Sequence, residues 1–164
     1  MTEHGAEIEV ARRLLEASET LVVVETSAGG LLSSRLTAIP GSSAWFLGGA
    51  TVYSAAARQR WLGLSGEATR AAGVVSAETA LGLARAGRDS LDATWGAAET
   101  GIAGPQTGRR STKPVGLGYA AVVGRVRGKE VERVQEISTG LDDREANRQA
   151  FADALLRLIS DSIA

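Results

Sequence analysis

The stretch TLVVVETSAGGLLSSRLTA, residues 20–38, decides the fold. Its first part, TLVVVE (20–25), is a short β-branched run that is typical of a buried strand. SAGG follows as a turn with two glycines, and LLSSRLTA (31–38) predicts a helix. A strand, a glycine-containing turn and a helix begin a βα unit, so this stretch predicts an α/β protein.

The sequence on either side continues the alternation of helices and strands. We predict an amphipathic helix over 6–18, a strand at 46–53, a short helix from Ser54, an alanine-rich helix from Ser76 to about Leu91, a strand at 95–101, a hairpin of 115–124 and 130–139, and a last helix from Asp142 or Asp143 to 162. Residues 65–73 fit either a surface helix or a mobile loop. Two strands followed by helices indicate parallel pairing, and the hairpin adds an antiparallel member. We therefore expect one domain over residues 1–164, a three-layer α/β/α sandwich around a mixed five-stranded sheet.

Bulk composition narrows the function. The chain has 164 residues, 44% hydrophobic and 23% charged, which is ordinary for a globular protein. Its net charge of −1 does not favour nucleic acid or an anionic membrane as a partner. The N-terminus lacks the basic region and apolar block of a signal peptide, and no apolar run approaches the ~18 residues of a membrane span. We therefore expect a cytoplasmic protein.

Scarce residue types narrow the chemistry further. The chain has no cysteine, and its only histidine is His4, so thiolate chemistry, a histidine triad and a histidine metal site are all disfavoured. Lysine and arginine total 18, of which only Lys113 and Lys129 are lysines. Because arginine stays protonated, it cannot act as an ordinary base. We expect neither a metal nor a cofactor.

Polar residues follow or precede the predicted strands, where open α/β sheets bind ligands. The candidates are Glu25, Thr26, Gly29 and Gly30 after the first strand, Ser42 and Ser43 before the second, Tyr53 and Arg58 after it, and Thr100 and Gly101 after the third. The glycines at a helix start favour an anion such as phosphate, to which Arg58, Arg109, Arg110 and Lys113 could add charge-assisted bonds. Each pattern also has a structural interpretation as a tight turn, a helix cap, packing or a solvated loop. Pattern alone therefore predicts an α/β domain with an anion site.

Several motifs occur together in a family-specific order. They are ETSAGG, LTAIPGSSAWFLGGATVYSAAAR, LGLS, GVVSAET, TGIAGP and KPVGLGY. In this combination the chain resembles the CinA C-terminal domain family, also called the nicotinamide-nucleotide amidase family, over nearly its whole length. The resemblance implies a three-layer α/β/α fold. It also implies hydrolysis of the carboxamide of nicotinamide mononucleotide to nicotinate mononucleotide and ammonia, a step in pyridine nucleotide recycling.

Carried over by motif, the resemblance places the nucleophile at Ser43, with Tyr53 beside it. Gly29, Gly30, Thr100 and Gly101 would line the nucleotide pocket, and Lys113 would lie in the loop that closes over it. Several positions depart from the family pattern. In the first turn Thr26, Ser27 and Ala28 stand where the family usually has serine, cysteine and threonine. After the second strand Ala55, Ala56 and Arg58 replace the family's asparagine, glutamate and lysine, and Leu117 later replaces a threonine. One hypothesis for the activity is that Arg58 stabilises a Tyr53 phenolate, which would then take the proton of Ser43.

Three functions remain open at this point. The first is a nicotinamide mononucleotide amidohydrolase, and the second is a relative that keeps the nucleotide pocket without turnover. The third is an assembly or regulatory module whose pocket is vestigial. The partner is therefore expected to be a nucleotide-type small molecule. Self-association is a further expectation, because Trp45 and Phe46 are apolar and members of the resembled family pair.

Overall fold

The computed structural model describes residues 5–105 and 112–163, apart from the side chain of residue 68. Arg109 and Arg110, two of the predicted anion ligands, lie outside the described residues, as does His4. Within the described part the elements run as α1 (Gly5–Ala17), β1 (Leu21–Glu25), α2 (Leu31–Thr37), a 3₁₀ turn (Ser42–Ala44), β2 (Phe46–Thr51), α3 (Ala55–Leu62), α4 (Gly66–Ala72), α5 (Ala77–Ser90), β3 (Trp95–Gly101), β4 (Leu117–Val126), β5 (Lys129–Ser138) and α6 (Arg144–Ser162).

The strands form one mixed sheet in the order β2-β1-β3-β4-β5. Strand β1 pairs in parallel with β2 and β3, whereas β4 pairs antiparallel with both β3 and β5. The predicted mixed five-stranded sheet is therefore confirmed. Because β1, β2 and β3 run in the same direction, their C-terminal ends meet along one side of the sheet, which we call the carboxyl edge.

Helices cover both faces of the sheet and produce two hydrophobic clusters. On one face, which we call the α6 side, Leu21 and Val23 pack with Phe151 and Leu155. The opposite face, the α5 side, has a second buried cluster. Its buried members are Val24, Val52, Ala80, Leu83, Ala84, Ala98, Ala121 and Val123. Strand β1 is buried along its whole length, as its β-branched run predicts. The two clusters confirm the three-layer α/β/α sandwich.

Three helices begin where side-chain caps were expected. Ser54 Oγ accepts a hydrogen bond from the backbone N–H of Ala57 at 3.1 Å, at the start of α3. Ser76 caps α5 in the same way, and Asp143 caps α6. A cap of this kind satisfies one of the otherwise unpaired N–H groups of the first turn. These caps fix where the loops of the carboxyl edge end and the helices begin.

A few boundaries differ from the sequence-based expectation. Strand β2 ends at Thr51 rather than residue 53, because the chain turns there to reach the cap of α3 at Ser54. The hairpin is tighter than predicted, since its turn lies at Arg127 and Gly128, both with positive φ. Residues 66–72 form helix α4, one of the two alternatives for that segment. Among the described residues, no helix is both long and apolar enough to cross a membrane.

Candidate functional site

Two buried threonines lie at the carboxyl edge. Thr100 lies two residues after Ala98 on β3, so both side chains face the α5 side. There its Oγ1 donates to the carbonyl of Val74 at 2.9 Å. Thr26 follows β1 directly, and its Oγ1 donates to the carbonyl of Glu99 at 3.2 Å. That carbonyl belongs to the residue before Thr100, so this hydrogen bond ties Thr26 to the end of β3 that bears Thr100. Each hydroxyl is engaged as a donor and keeps oxygen lone pairs as acceptors.

Arg58 is a buried cation at the same end of the molecule. Its residue is 6% exposed, and its Nε has no hydrogen-bond partner in the described part of the chain. Helix α3 packs on the α5 side, where Ala57 and Leu62 contact the second cluster. Side chains of a helix lean toward its N-terminus, and the start of α3 adjoins the carboxyl edge, because Val52 donates to the carbonyl of Glu25 two residues before the cap at Ser54. Burial lowers the pKa of Arg58.

Tyr53 lies at the entrance of this region, 64% exposed. Its hydroxyl accepts a hydrogen bond from Nη2 of Arg144 at 3.0 Å, and Nη1 of Arg144 donates to the carbonyl of Gly104 at 2.6 Å. The hypothesis that Arg58 contacts the Tyr53 hydroxyl is therefore wrong. The guanidinium beside the phenol comes from the first residue of α6, which faces Tyr53 across the carboxyl edge.

Glu25 occupies the helix start that was expected to hold an anionic ligand. Its Oε2 accepts from the backbone N–H groups of Gly30 (3.0 Å) and Leu32 (3.1 Å). Its Oε1 accepts from the N–H and the hydroxyl of Ser33. The carboxylate thus takes the place at the N-terminus of α2 that a phosphate would need. Glu25 is a buried internal cap here. The structure therefore corrects the expectation that the turn at Gly29 and Gly30 binds a phosphate, because the Glu25 carboxylate occupies that position.

A second buried carboxyl, that of Glu99, lies under the same turn. Its Oε1 accepts from the N–H groups of Thr26 (2.5 Å) and Ala28 (2.9 Å). Its Oε2 has no partner among the described residues. Burial raises the pKa of Glu99 to about 7, the nearby Glu25 carboxylate adds to the rise, and the N–H groups oppose it. Glu99 therefore holds the turn that presents Thr26 and is able to titrate near neutral pH.

Ser42 and Ser43 are not at this site. Both lie in the 3₁₀ turn before β2, and Leu21 at the start of β1 bonds the carbonyl of Trp45 beside them. The 6 residues of β2 separate them from Tyr53. At about 3.3 Å per residue, that distance is roughly 20 Å. The prediction that Ser43 shares a site with Tyr53, Arg58 and Thr100 is therefore wrong within one chain.

The other predicted ligands lie at the carboxyl edge in different roles. Lys113 Nζ donates to the carbonyl of Val75, next to the residue that bonds Thr100, so this lysine joins the α5 side of the site. Gly101 lies at the end of β3 with its Cα against the ring of Phe151, so the absence of a side chain there serves close packing. Gly29 and Gly30 both have positive φ, which the turn requires.

Sequence reasoning missed three residues of this region. Arg144 and Arg148, one turn apart on α6, reach the loops of the carboxyl edge, and Arg148 donates to the carbonyls of Ser27 (3.2 Å) and Ala28 (3.0 Å). Glu99 was missed as well, although a glutamate inside the strand WGAAETG is an unusual residue at a buried position and was a readable signal. No group of three or more potential metal ligands occurs among the residues that the structure describes.

Comparison with known sequences finds one family over almost the whole chain. The family model for the CinA C-terminal domain matches residues 3–163. A CinA-like protein of Synechococcus elongatus is 42% identical over 133 residues, which cover 81% of this chain and 31% of that protein. A CinA-like protein of Frankia casuarinae is 42% identical over 68% of this chain and 25% of its own length. The chain thus spans less than a third of either relative.

Solved structures with the same fold cover this chain almost completely. The competence/damage-inducible protein of Agrobacterium tumefaciens is 32% identical, with a TM-score of 0.83 over 98% of this chain and 97% of that chain. A CinA superfamily protein of Klebsiella pneumoniae has a TM-score of 0.88 over 99% of this chain and 98% of its own. At 22% identity the Klebsiella protein is a likeness in fold alone.

Proposed function

Because the chain belongs to the CinA C-terminal domain family, we propose that its carboxyl edge binds nicotinamide mononucleotide, the nucleotide that the family resemblance implies, without efficient turnover. One observation carries the proposal: the buried guanidinium of Arg58 has no partner at Nε among the described residues. A buried charge that is left unpaired is strongly destabilising. A cation in this state is suited to an anionic ligand that completes its hydrogen bonds.

The surrounding groups also suit a nucleotide. Thr26 and Thr100 offer hydroxyl acceptors at the carboxyl edge, and the exposed Tyr53 ring lies at the entrance, where it can contact an apolar ring. Lys113 and Arg144 add positive charge at the α5 side and at the entrance, respectively. The arrangement is cationic, and nucleotide phosphate and ribose groups have the complementary acceptors and donors.

Efficient amide hydrolysis is disfavoured because, among the residues that the structure describes, no side-chain base contacts the hydroxyl of Thr26. An arginine side chain does not act as a base in proteins, so Arg58 supplies none, and Glu99 directs Oε1 to the backbone of Thr26 rather than to its hydroxyl. Loss of general-base assistance lowers a rate by ~10²–10⁴. A second candidate, hydrolysis of nicotinamide mononucleotide, is favoured by one observation, the retained hydroxyls of Thr26 and Tyr53. On this geometry Thr26, and not Ser43, would be the attacking group.

Calorimetry and an ammonia assay together test both candidates. We expect nicotinamide mononucleotide to bind with measurable heat, and ammonia release to stay close to the buffer rate in the wild type and in Thr26→Val. Valine keeps the shape of threonine and removes only the hydroxyl. Ammonia release well above background that is lost in Thr26→Val and kept in Ser43→Ala would establish hydrolysis instead. Absence of both heat and ammonia at millimolar nucleotide would contradict both candidates.

A further inference from the structure

We propose that Arg58 makes the carboxyl edge selective for a carboxylate, so that the chain binds nicotinate mononucleotide, the acid, more tightly than nicotinamide mononucleotide, the amide. This inference rests on the proposed function and goes beyond it. It assigns to Arg58 the recognition of the group in which the two nucleotides differ. A lysine at this position is what the family resemblance leads one to expect, so the preference would belong to this chain.

Arg58 contrasts with Arg88, the other buried arginine of the described residues. Arg88 is 4% exposed and is bonded to two carboxylates, Glu130 at 2.6 Å and Asp89 at 2.9 Å. Arg58 is 6% exposed and has no ion pair with any described carboxylate, and its Nε lacks a hydrogen bond altogether. Protein carboxylates therefore compensate one buried guanidinium and leave the other without compensation. The missing partner of Arg58 has the chemistry of the groups that Arg88 uses.

Arg58 lies near the end of α3 that adjoins the carboxyl edge. The backbone N–H of Arg58 bonds the carbonyl of Ser54, so Arg58 lies one turn into α3, and its side chain leans back toward the cap. That start adjoins the carboxyl edge, because Val52 donates to the carbonyl of Glu25 and the chain reaches Ser54 two residues later. The Arg58 side chain therefore extends toward the end of α3 that adjoins the carboxyl edge.

An acid and an amide differ in the hydrogen bonds that they can accept from a guanidinium. A guanidinium has only donors, in a planar fork that fits both oxygens of a carboxylate. A carboxamide of the same shape presents one oxygen and one N–H group, so one donor of the fork faces another donor. The acid also brings a negative charge to the acceptor, whereas the amide oxygen is neutral, so we expect a preference for the acid of at least ~10-fold.

A phosphate is the other anionic group that the ligand carries, and the choice of probes separates the two sources. Calorimetry at one pH near neutral would compare four compounds: nicotinate mononucleotide, nicotinamide mononucleotide, and the two ribosides that lack the phosphate. We expect the acid to bind ~10-fold or more tightly than the amide, both in the nucleotide pair and in the riboside pair. In Arg58→Gln the acid should lose this advantage while the amide changes little.

Two further variants separate the effect of charge from that of the planar guanidinium and control for the loss of an arginine elsewhere on α3. Arg58→Lys keeps the charge without the fork and should retain only part of the preference, and Arg60→Gln, which removes an exposed arginine of the same helix, should retain all of it. Equal affinity of the wild type for the acid and the amide would overturn the inference and leave the proposed function standing. An equal loss for both nucleotides in Arg58→Gln, with the ribosides unaffected, would overturn it in favour of a phosphate contact. No heat with either nucleotide would instead contradict the proposed function on which it rests.

Discussion

Replacing Glu99 by glutamine should remove a pH dependence of stability that the buried carboxyl creates. Its pKa is about 7 in the folded protein against an ordinary value of 4.5. The sign follows from proton binding: between these values the folded state holds the proton more tightly than the unfolded state, so the free energy of unfolding falls as pH rises. This contribution is fully present below about pH 4.5 and is lost once the pH passes the folded value. A difference of 2.5 pK, from 7 − 4.5, at about 1.4 kcal/mol each gives a loss of about 3 kcal/mol.

Glutamine retains an amide oxygen that can accept from the N–H groups of Thr26 and Ala28, so the turn should survive the change. Urea unfolding at pH 5, 6, 7 and 8 measures the free energy of unfolding of both proteins. The variant should gain stability relative to the wild type as pH rises, by up to about 3 kcal/mol between the extremes. Glu67→Gln, at an exposed position on α4, is the matched control, and its free energy of unfolding should change with pH nearly as that of the wild type does. If the free energies of unfolding of the wild type and Glu99→Gln also changed with pH to the same extent, the reasoning would be refuted.

Three further changes test other parts of the structure. Arg58→Met should raise the thermal midpoint of the ligand-free protein, because an apolar side chain replaces an unpaired buried charge at a gain of about 1–4 kcal/mol; a lower midpoint would show that the guanidinium is compensated. Ser43→Ala should leave the calorimetric affinity for nicotinamide mononucleotide unchanged, since residue 43 lies at the opposite end of β2; a clear loss would place it in the site. Gly101→Ala should lower the unfolding free energy in urea by about 1–3 kcal/mol, because its Cβ would lie 2.5 Å from Cε2 of Phe151; a neutral result would mean that the ring can move.

The fold was readable from the sequence because its signals are local. The β-branched run of β1, the caps at Ser54, Ser76 and Asp143, and the charge alternation of β5 each depend on neighbouring residues only. The order of the strands was not predicted, because right-handed connections and short loops limit the arrangements without selecting one. Boundaries were less accurate where a cap competes with a strand, as at the end of β2, because both extended and capped residues have similar backbone angles.

The site was less readable because its residues meet only in three dimensions. The motif around Ser43 and Tyr53 is continuous in sequence, yet a strand lies between the two residues and carries them to opposite edges. The predicted strand at 46–53 already implied this separation, since a strand of such length spans roughly 20 Å or more. Arg144 illustrates the opposite case. It lies 91 residues from Tyr53 along the chain, and only the packing of α6 on the sheet brings them together.

The two buried acids support the proposal that the carboxyl edge binds a ligand rather than supplying a general base. Glu25 satisfies the N-terminus of α2 and Glu99 satisfies the turn before it, so each carboxylate is directed toward the backbone. Both carboxyl groups thus hold the turn, and neither pairs with Arg58, whose Nε has no partner among the described residues. Within the described residues, no carboxylate contacts the hydroxyl of Thr26, whose proton goes to a carbonyl. Oε1 of Glu99 holds the N–H groups of Thr26 and Ala28, so its use as a base would release the same turn that positions the hydroxyl.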